Sequence, residues 1–268
     1  MNYVTSRDGT EIAFQRSGTG PPLILVHGTS ATHARWRPVL PAFEERFTVF
    51  AIDRRGRGES ADADDYQVER EFEDVAAVID ALDEPVNLLG HSYGAICAVE
   101  AARLTENVRK LVLYEPPVPI AGVPLGDDAV IERLQVLLDE DDQEAVVTTF
   151  FREVVRMPNA ELGMFKASPA WPARVAAAHT LPRELRGQRG YRFAAERFAE
   201  LCVPTLLLLG GDSPRAFELA AHLLDEALAD SRIVVMPGQQ HIAIDTAPEL
   251  FVREVVAFLD EPVPARAS

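Results

Sequence analysis

The chain has 268 residues, 47% of them hydrophobic, and a formal charge of −16. That is enough apolar material for one large α/β domain or two small ones, and the charge repels nucleic acid and anionic membrane surfaces as partners. No apolar run reaches about 18 residues, and MNYVTSRDGTEI has no basic stretch leading into an apolar one, so neither a membrane span nor a signal peptide is expected and the cytoplasm is the expected compartment.

Asn2 to Ser6 and Glu11 to Arg16 alternate and meet at Asp8-Gly9, which predicts an antiparallel hairpin. Leu23-Ile24-Leu25-Val26 is continuous and apolar, as a parallel strand buried on both faces should be, and ends at His27-Gly28-Thr29. A helix holding Trp36 and Leu40 follows. Phe47 to Ile52 is the next strand, closed by the loop Asp53-Arg54-Arg55-Gly56-Arg57-Gly58-Glu59-Ser60. Its glycines match neither GxxxxGK[ST] nor GxGxxG, so the nucleotide reading is weak. Val68 to Leu82 carries apolar residues at helical spacing.

Val86-Asn87-Leu88-Leu89 then stops at Gly90-His91-Ser92-Tyr93-Gly94 and restarts as an Ala-rich helix to about Leu104. The GxSxG spacing suits a serine on a strained strand-to-helix turn, whose neighbours must lack side chains. The helix N-terminus makes the Tyr93 amide a donor for developing negative charge, and the loop after His27 offers the Thr29 amide as a second. His27 reads as a residue that orients this loop in preference to one that transfers protons.

Lys110 to Tyr114 is another buried strand. Pro116-Pro117 end it and leave Glu115 at its carboxyl end. The next strand is Val203 to Leu209. Between them, Asp128 to Leu138, Gln143 to Val155, Arg174 to His179 and Tyr191 to Phe198 read as helices broken by Pro158, Pro169, Pro172 and Pro182, an insertion placed as a cap over the strand ends. A helix from Pro214 to Ala229, the strand Arg232 to Met236, His241 in the following loop and a helix from Pro248 to Leu259 complete the chain, with Pro262 to Ser268 as a frayed tail. Strand–helix alternation implies right-handed crossovers and a doubly wound, mostly parallel, eight-stranded α/β sheet with an inserted helical cap. The expected boundaries are a core of 1–117 and 202–268 and a cap of 118–201.

A serine hydroxyl needs a base within reach and a carboxylate behind that base. Ser92 and His241 follow strands that end on one rim and fill the first two roles. Asp62–Asp65 and Asp139–Asp142 read as solvated clusters, and Cys97 and Cys202 as reduced thiols. No His/Cys/Asp cluster has ligand spacing, so no metal or cofactor is expected.

The order of His-Gly loop, GHSYG elbow, helical insertion and late PGQQH histidine resembles the α/β-hydrolase superfamily over nearly the whole chain. In most such proteins an aspartate stands three residues after the glycine ending the penultimate strand. Counted from Gly210, that place is Ser213, and Asp212 is one residue short. A subset carries the acid at the position of Glu115, as in some haloalkane dehalogenases and the fungal zearalenone lactonases. The likeness to the latter takes in the missing late aspartate and a cap tryptophan, here Trp171. Glu115 is therefore the expected acid and Asp212 the alternative.

The resemblance implies a serine hydrolase acting on a carboxylic ester or lactone. The cap's Phe150, Phe151, Met157, Met164, Phe165, Trp171 and Tyr191 favour a bulky apolar or aromatic small molecule, although any single one of them suits the cap core better than the pocket, with Trp171, His179 and His27 as pocket residues. Lyase or perhydrolase-type chemistry, or a ligand receptor with a vestigial triad, are the alternatives on the same fold. A homodimer is one oligomeric state left open.

Overall fold

A computed structural model describes residues 1–120 and 127–263. The start of the insertion (121–126) and the end of the expected tail (264–268) lie outside the described residues. Eight strands form one sheet: β1 (Asn2–Thr5), β2 (Glu11–Gly18), β3 (Pro22–Val26), β4 (Thr48–Ile52), β5 (Val86–His91), β6 (Val108–Tyr114), β7 (Thr205–Gly210) and β8 (Ser231–Met236). Their order is β1-β2-β4-β3-β5-β6-β7-β8. β1 and β2 pair antiparallel around Asp8-Gly9, where Gly9 takes φ +92°, and β3 to β8 run parallel.

The parallel strands at the centre are apolar on both faces because helices cover both. On one side α2 (Val68–Asp80), α3 (Tyr93–Ala101) and α9 (Arg215–Ala227) pack onto the sheet, and on the other α1 (Leu40–Glu44), the short α10 (Ala243–Thr246) and α11 (Pro248–Asp260). In α2 the buried Val68, Phe72, Val75 and Ile79 repeat every three or four residues and form its inner stripe. Burying each such side chain contributes roughly 1.5–3 kcal/mol. The chain leaves β3 in one direction, to β4, and then crosses back to β5 on the other side. Open parallel sheets place ligands at such a reversal, outside the carboxyl ends of the strands. Here those ends carry Thr29 and Ser92.

The insertion is helical, with α4 (Asp128–Asp139), α5 (Gln143–Thr149), a π-helical turn (Phe150–Val154), α6 (Asn159–Lys166), α7 (Trp171–Ala176), α8 (Thr180–Gly190) and a 3-10 turn (Ala195–Phe198). Its boundaries differ from the sequence reading for one reason. Three of the four prolines read as breaks stand in caps and first turns, where a helix needs no amide donor: Pro158 caps α6, Pro172 stands at the start of α7 and Pro182 in the first turn of α8, while Pro169 lies in the turn before α7. Tyr191 to Phe198 is not a continuous helix, and only its last four residues turn. Ile131, Leu134, Val147, Phe151, Trp171 and Leu185 belong to an apolar cluster separate from the two that flank the sheet.

Arg54, Arg55 and Arg57 of the β4–α2 loop turn inward and are buried. Arg54 donates to Glu71 and Glu184 at 2.6 Å each, Arg57 reaches the same Glu184, and Arg55 grips Asp74 with Nε and Nη2 at 2.7 Å each. Glu184 lies on α8, so this cluster ties the inserted helices to the core. Of the acidic runs, Asp142 caps α5 and Asp62 pairs with Arg183 at 2.7 and 2.9 Å.

Candidate active site

Ser92 follows β5 with φ 57° and ψ −129° and caps α3. A non-glycine residue held at positive φ costs of order 1–3 kcal/mol and persists only where its surroundings impose it. They do so here by contact. A Cβ on Gly90 would lie 2.5 Å from the Ala95 Cα, one on Gly94 would strike the carbonyl oxygens of Val26 and His27, and one on Gly28 would lie 2.8 Å from the Ser92 Cβ. The β3 loop and the elbow therefore pack backbone to backbone. Thr29 adjoins Ser92 through Gly28, and the Tyr93 amide, first in α3, has no intrahelical acceptor. Among the described residues five non-glycine residues have positive φ, and three of them, Ser30, Ser92 and Glu115, stand at the carboxyl ends of β3, β5 and β6.

The His241 Nδ1 is 2.7 Å from Glu115 Oε2. Glu115 is buried, and its Oε1 accepts from the Gly210 amide at 2.7 Å and from Ser213 Oγ at 2.5 Å. The serine that stands where an aspartate is usual thus supports the carboxylate from β6. The His241 loop is fastened to the same strand: Tyr114 Oη accepts from the Ala243 amide at 2.9 Å and donates to the Gln240 carbonyl, while Tyr114 O accepts from the Ser92 amide at 2.8 Å. Phe217 of α9 stacks on the His241 ring, centroid to centroid 4.6 Å. Ser92 Oγ makes no hydrogen bond to the His241 ring among the described residues. Such bonds are commonly long in unliganded sites and tighten around substrate.

The other expected residues fall elsewhere. Asp212 is exposed, and its backbone amide rather than its carboxylate is engaged, with Gln239 O at 2.9 Å. His27 is fully buried. Its Nδ1 donates to Gly28 O at 2.8 Å and its Nε2 accepts from the Arg54 amide at 3.1 Å, which fixes one neutral tautomer and leaves no nitrogen for substrate. Burial, with Arg54 and Arg57 nearby, holds that ring well below the ordinary histidine range. His27 therefore orients the loop and is not a substrate contact. His179 is exposed, 3.3 Å from Asp62 on the surface. Trp171 is buried among Phe151, Phe165 and Lys166, so it packs the inserted helices. Tyr191 packs on Phe72 and donates to Glu100 at 2.7 Å. Phe150, Phe151, Trp171 and Tyr191 are all buried, so they take the packing role that each of them suits.

Three residues escaped the sequence reading. His91, within the elbow, stacks on Tyr114 at 4.9 Å and donates from Nε2 to the His241 carbonyl at 3.0 Å. Its ring is held well below the usual range by burial, then by His241, Arg35 and Arg174. Ser213 carried a signal, since it occupies the aspartate's place. Arg174, on α7, donates from Nη1 to Ser30 O and Oγ at 2.8 Å each, and one arginine in an insertion gives no sequence signal. Among the described residues no group of three or more His, Cys, Asp or Glu side chains could hold a metal ion, and no helix is long and apolar enough to cross a membrane. The surface grooves around Asn2, Phe14 and Phe50 and around Lys110 and Ser231 do not border the site.

A family model described as the alpha/beta hydrolase family matches residues 23–254. The chain belongs to that family. Its fold is similar to that of an alpha/beta hydrolase from Sphaerobacter thermophilus DSM 20745, with 37% identity, TM-score 0.84 and coverage of 96% of this chain and 100% of the other. An esterase from Rhodococcus sp. ECU1013 is similar at 25% identity and TM-score 0.77, covering 97% and 98%. The 2-(acetamidomethylene)succinate hydrolase of Mesorhizobium japonicum is 24% identical over 265 residues, 92% of this chain and 90% of that protein.

Proposed function

We propose that this hydrolase cleaves a carboxylic ester or lactone through an acyl-enzyme on Ser92. His241 Nε2 takes the hydroxyl proton as Oγ attacks the carbonyl, and the Thr29 and Tyr93 amides receive the oxyanion. His241 then returns the proton to the leaving alkoxide, or to the ring-opened alcohol of a lactone, and water repeats the sequence on the acyl-enzyme. Glu115 holds Nδ1–H, fixing the tautomer that leaves Nε2 free and stabilising the imidazolium as it forms. The inserted helices serve as the cap over this site. The observation that carries the reading is the 2.7 Å contact of His241 with a buried Glu115 that two further donors support. The esterase among the similar structures agrees with it.

The test uses 4-nitrophenyl esters of short acids and a fluorophosphonate probe. The reading expects a burst of 4-nitrophenol equal to the enzyme present and covalent labelling at Ser92 by peptide mapping, both lost in Ser92→Ala. Labelling that survives this substitution, or turnover within tenfold of the unaltered enzyme, sinks it.

A further inference from the structure

Arg174 is unlike the other arginines of the chain. Among the described residues it is the arginine that is not exposed and yet has no carboxylate within 4.0 Å. Its guanidinium lies over the rings of Phe165, 4.7 Å from the centroid, and Phe151, 5.5 Å. Burial, with Arg35 adding repulsion and Asp245 relieving part of it, brings its pKa down to about 9. A charge kept in so poor a solvent without a counter-ion is a cost that folding alone does not explain.

The geometry says which side of the group is spoken for. Nη1 donates twice to Ser30, next to the Thr29 amide. Nε is buried without a partner, and Nη2 donates to no acceptor among the described residues. Nε and Nη2 form the flank of a guanidinium that grips a carboxylate with two parallel hydrogen bonds. The same chain shows that flank in use at Arg55, where Nε and Nη2 hold Asp74 at 2.7 Å each.

We propose that the Nε–Nη2 flank of Arg174 is a subsite for a carboxylate carried by the substrate, so that the enzyme acts on an acidic ester or lactone instead of a wholly apolar one. The proposal rests on the Ser92 reading for the identity of the bond cleaved, but not for the existence of the anion site. Because Arg174 bonds the loop that supplies the Thr29 amide, a carboxylate seated there is close to the oxyanion position. The short step in the chain from Ser30 to Thr29 favours a short dicarboxylic skeleton between the acid group and the scissile carbonyl.

Two measurements separate the anion site from the chemistry. The first compares kcat/KM for monoethyl succinate and ethyl butyrate by pH-stat, in the unaltered enzyme, Arg174→Met and Arg174→Lys. The expected result is a preference for the acidic ester that falls about 10- to 150-fold in Arg174→Met, read as the ratio of the two substrates so that any shared loss from the Ser30 contact cancels. Arg174→Lys, which keeps the charge without the fork, falls between.

The second is calorimetric titration with succinate and with neutral succinamide, which needs no turnover. Succinate should bind the unaltered enzyme, weaken in Arg174→Met, and outbind the diamide. If Ser92 is unlabelled and neither ester turns over, while succinate binds through Arg174, the hydrolytic reading fails and the anion site stands. If esters turn over with no acid preference, or succinate binds no better than succinamide, the anion site is wrong. The unaltered enzyme supplies both decisive readings should Arg174→Met fail to fold.

Discussion

Two regions of this molecule withdraw guanidinium groups from water, one fully and one in part, and they do it on opposite terms. In the β4–α2 loop, Arg54, Arg55 and Arg57 each meet at least one buried carboxylate, from Glu71, Asp74 or Glu184. On α7, Arg174 meets Ser30 of the loop after β3 and two phenylalanine rings, and no carboxylate. Matched buried charges hold parts of a structure in register, since breaking one strands the other. Arg54 and Arg57 join the inserted α8 to the core through Glu184, and Arg55 ties the loop to α2 through Asp74. An unmatched one keeps hydrogen-bond donors unused, as the Arg174 Nε does.

The largest expected effect breaks the paired region. Glu184→Ala removes the carboxylate that Arg54 and Arg57 share, leaves Glu71 alone against two buried guanidinium groups, and should cost about 3–5 kcal/mol, seen as a lowered denaturant midpoint at unchanged slope. Acid offers a second route to the same cluster. Burial works to raise the Glu71 carboxyl, but Arg54, Arg57 and hydrogen bonds from Arg54 and Tyr66 outweigh it and hold the pKa at about 2. A depressed folded-state pKa contributes stability that is complete above the ordinary carboxylate range, near 4.5, and is lost as pH falls toward 2. Asp74, pushed up by burial against the pull of Arg55, acts in the opposite sense, and does so above the ordinary aspartate value of 3.8. Stability measured from pH 6 to pH 2 should fall in that interval, and Glu71→Gln should flatten the fall.

The unpaired region should answer differently. Arg174→Met removes a charge with no counter-ion, so the loss of two hydrogen bonds to Ser30 and the relief of desolvation nearly cancel, and stability should move by less than about 1 kcal/mol. A loss as large as that of Glu184→Ala would mean that Arg174 is a structural tie like the others. The smallest effect belongs to Ser213→Ala, which removes one of the two donors on Glu115 Oε1 and should lower kcat by about fivefold, roughly 1 kcal/mol. Rescue by Ser213→Thr would identify the hydroxyl as the cause.

Much of this was legible before any coordinates, because it rests on short-range rules. The apolar runs of β3, β5 and β7 announce strands buried on both faces, and Gly90, Ser92 and Gly94 announce a turn that only small neighbours permit. The inserted helices were read less well. Pro158, Pro172 and Pro182 look like breaks when their amide is counted as missing, yet a cap or first turn needs none. Composition does not say which side of a helix packs inward, so the aromatic residues there suit a core as well as a pocket, and Trp171 and Tyr191 pack inward. His27 and His179 show the same limit. A histidine beside a catalytic loop can be sealed by two backbone groups, and one in an insertion can sit on the surface. Arg174 was illegible because its meaning lies in an absent partner, and absence is a property of three-dimensional surroundings.

The acid behind His241 is where the account is most exposed. Glu115 touches the imidazole, whereas Asp212 lies at the surface one residue from the usual position. Steady-state turnover of a 4-nitrophenyl ester by Glu115→Gln and Asp212→Asn, measured side by side with circular dichroism as a check on folding, tests this directly. The account predicts a kcat lowered by about 10²- to 10⁴-fold in the first and changed by less than about threefold in the second. A well-folded Glu115→Gln that keeps near-full turnover while Asp212→Asn loses it would contradict the account.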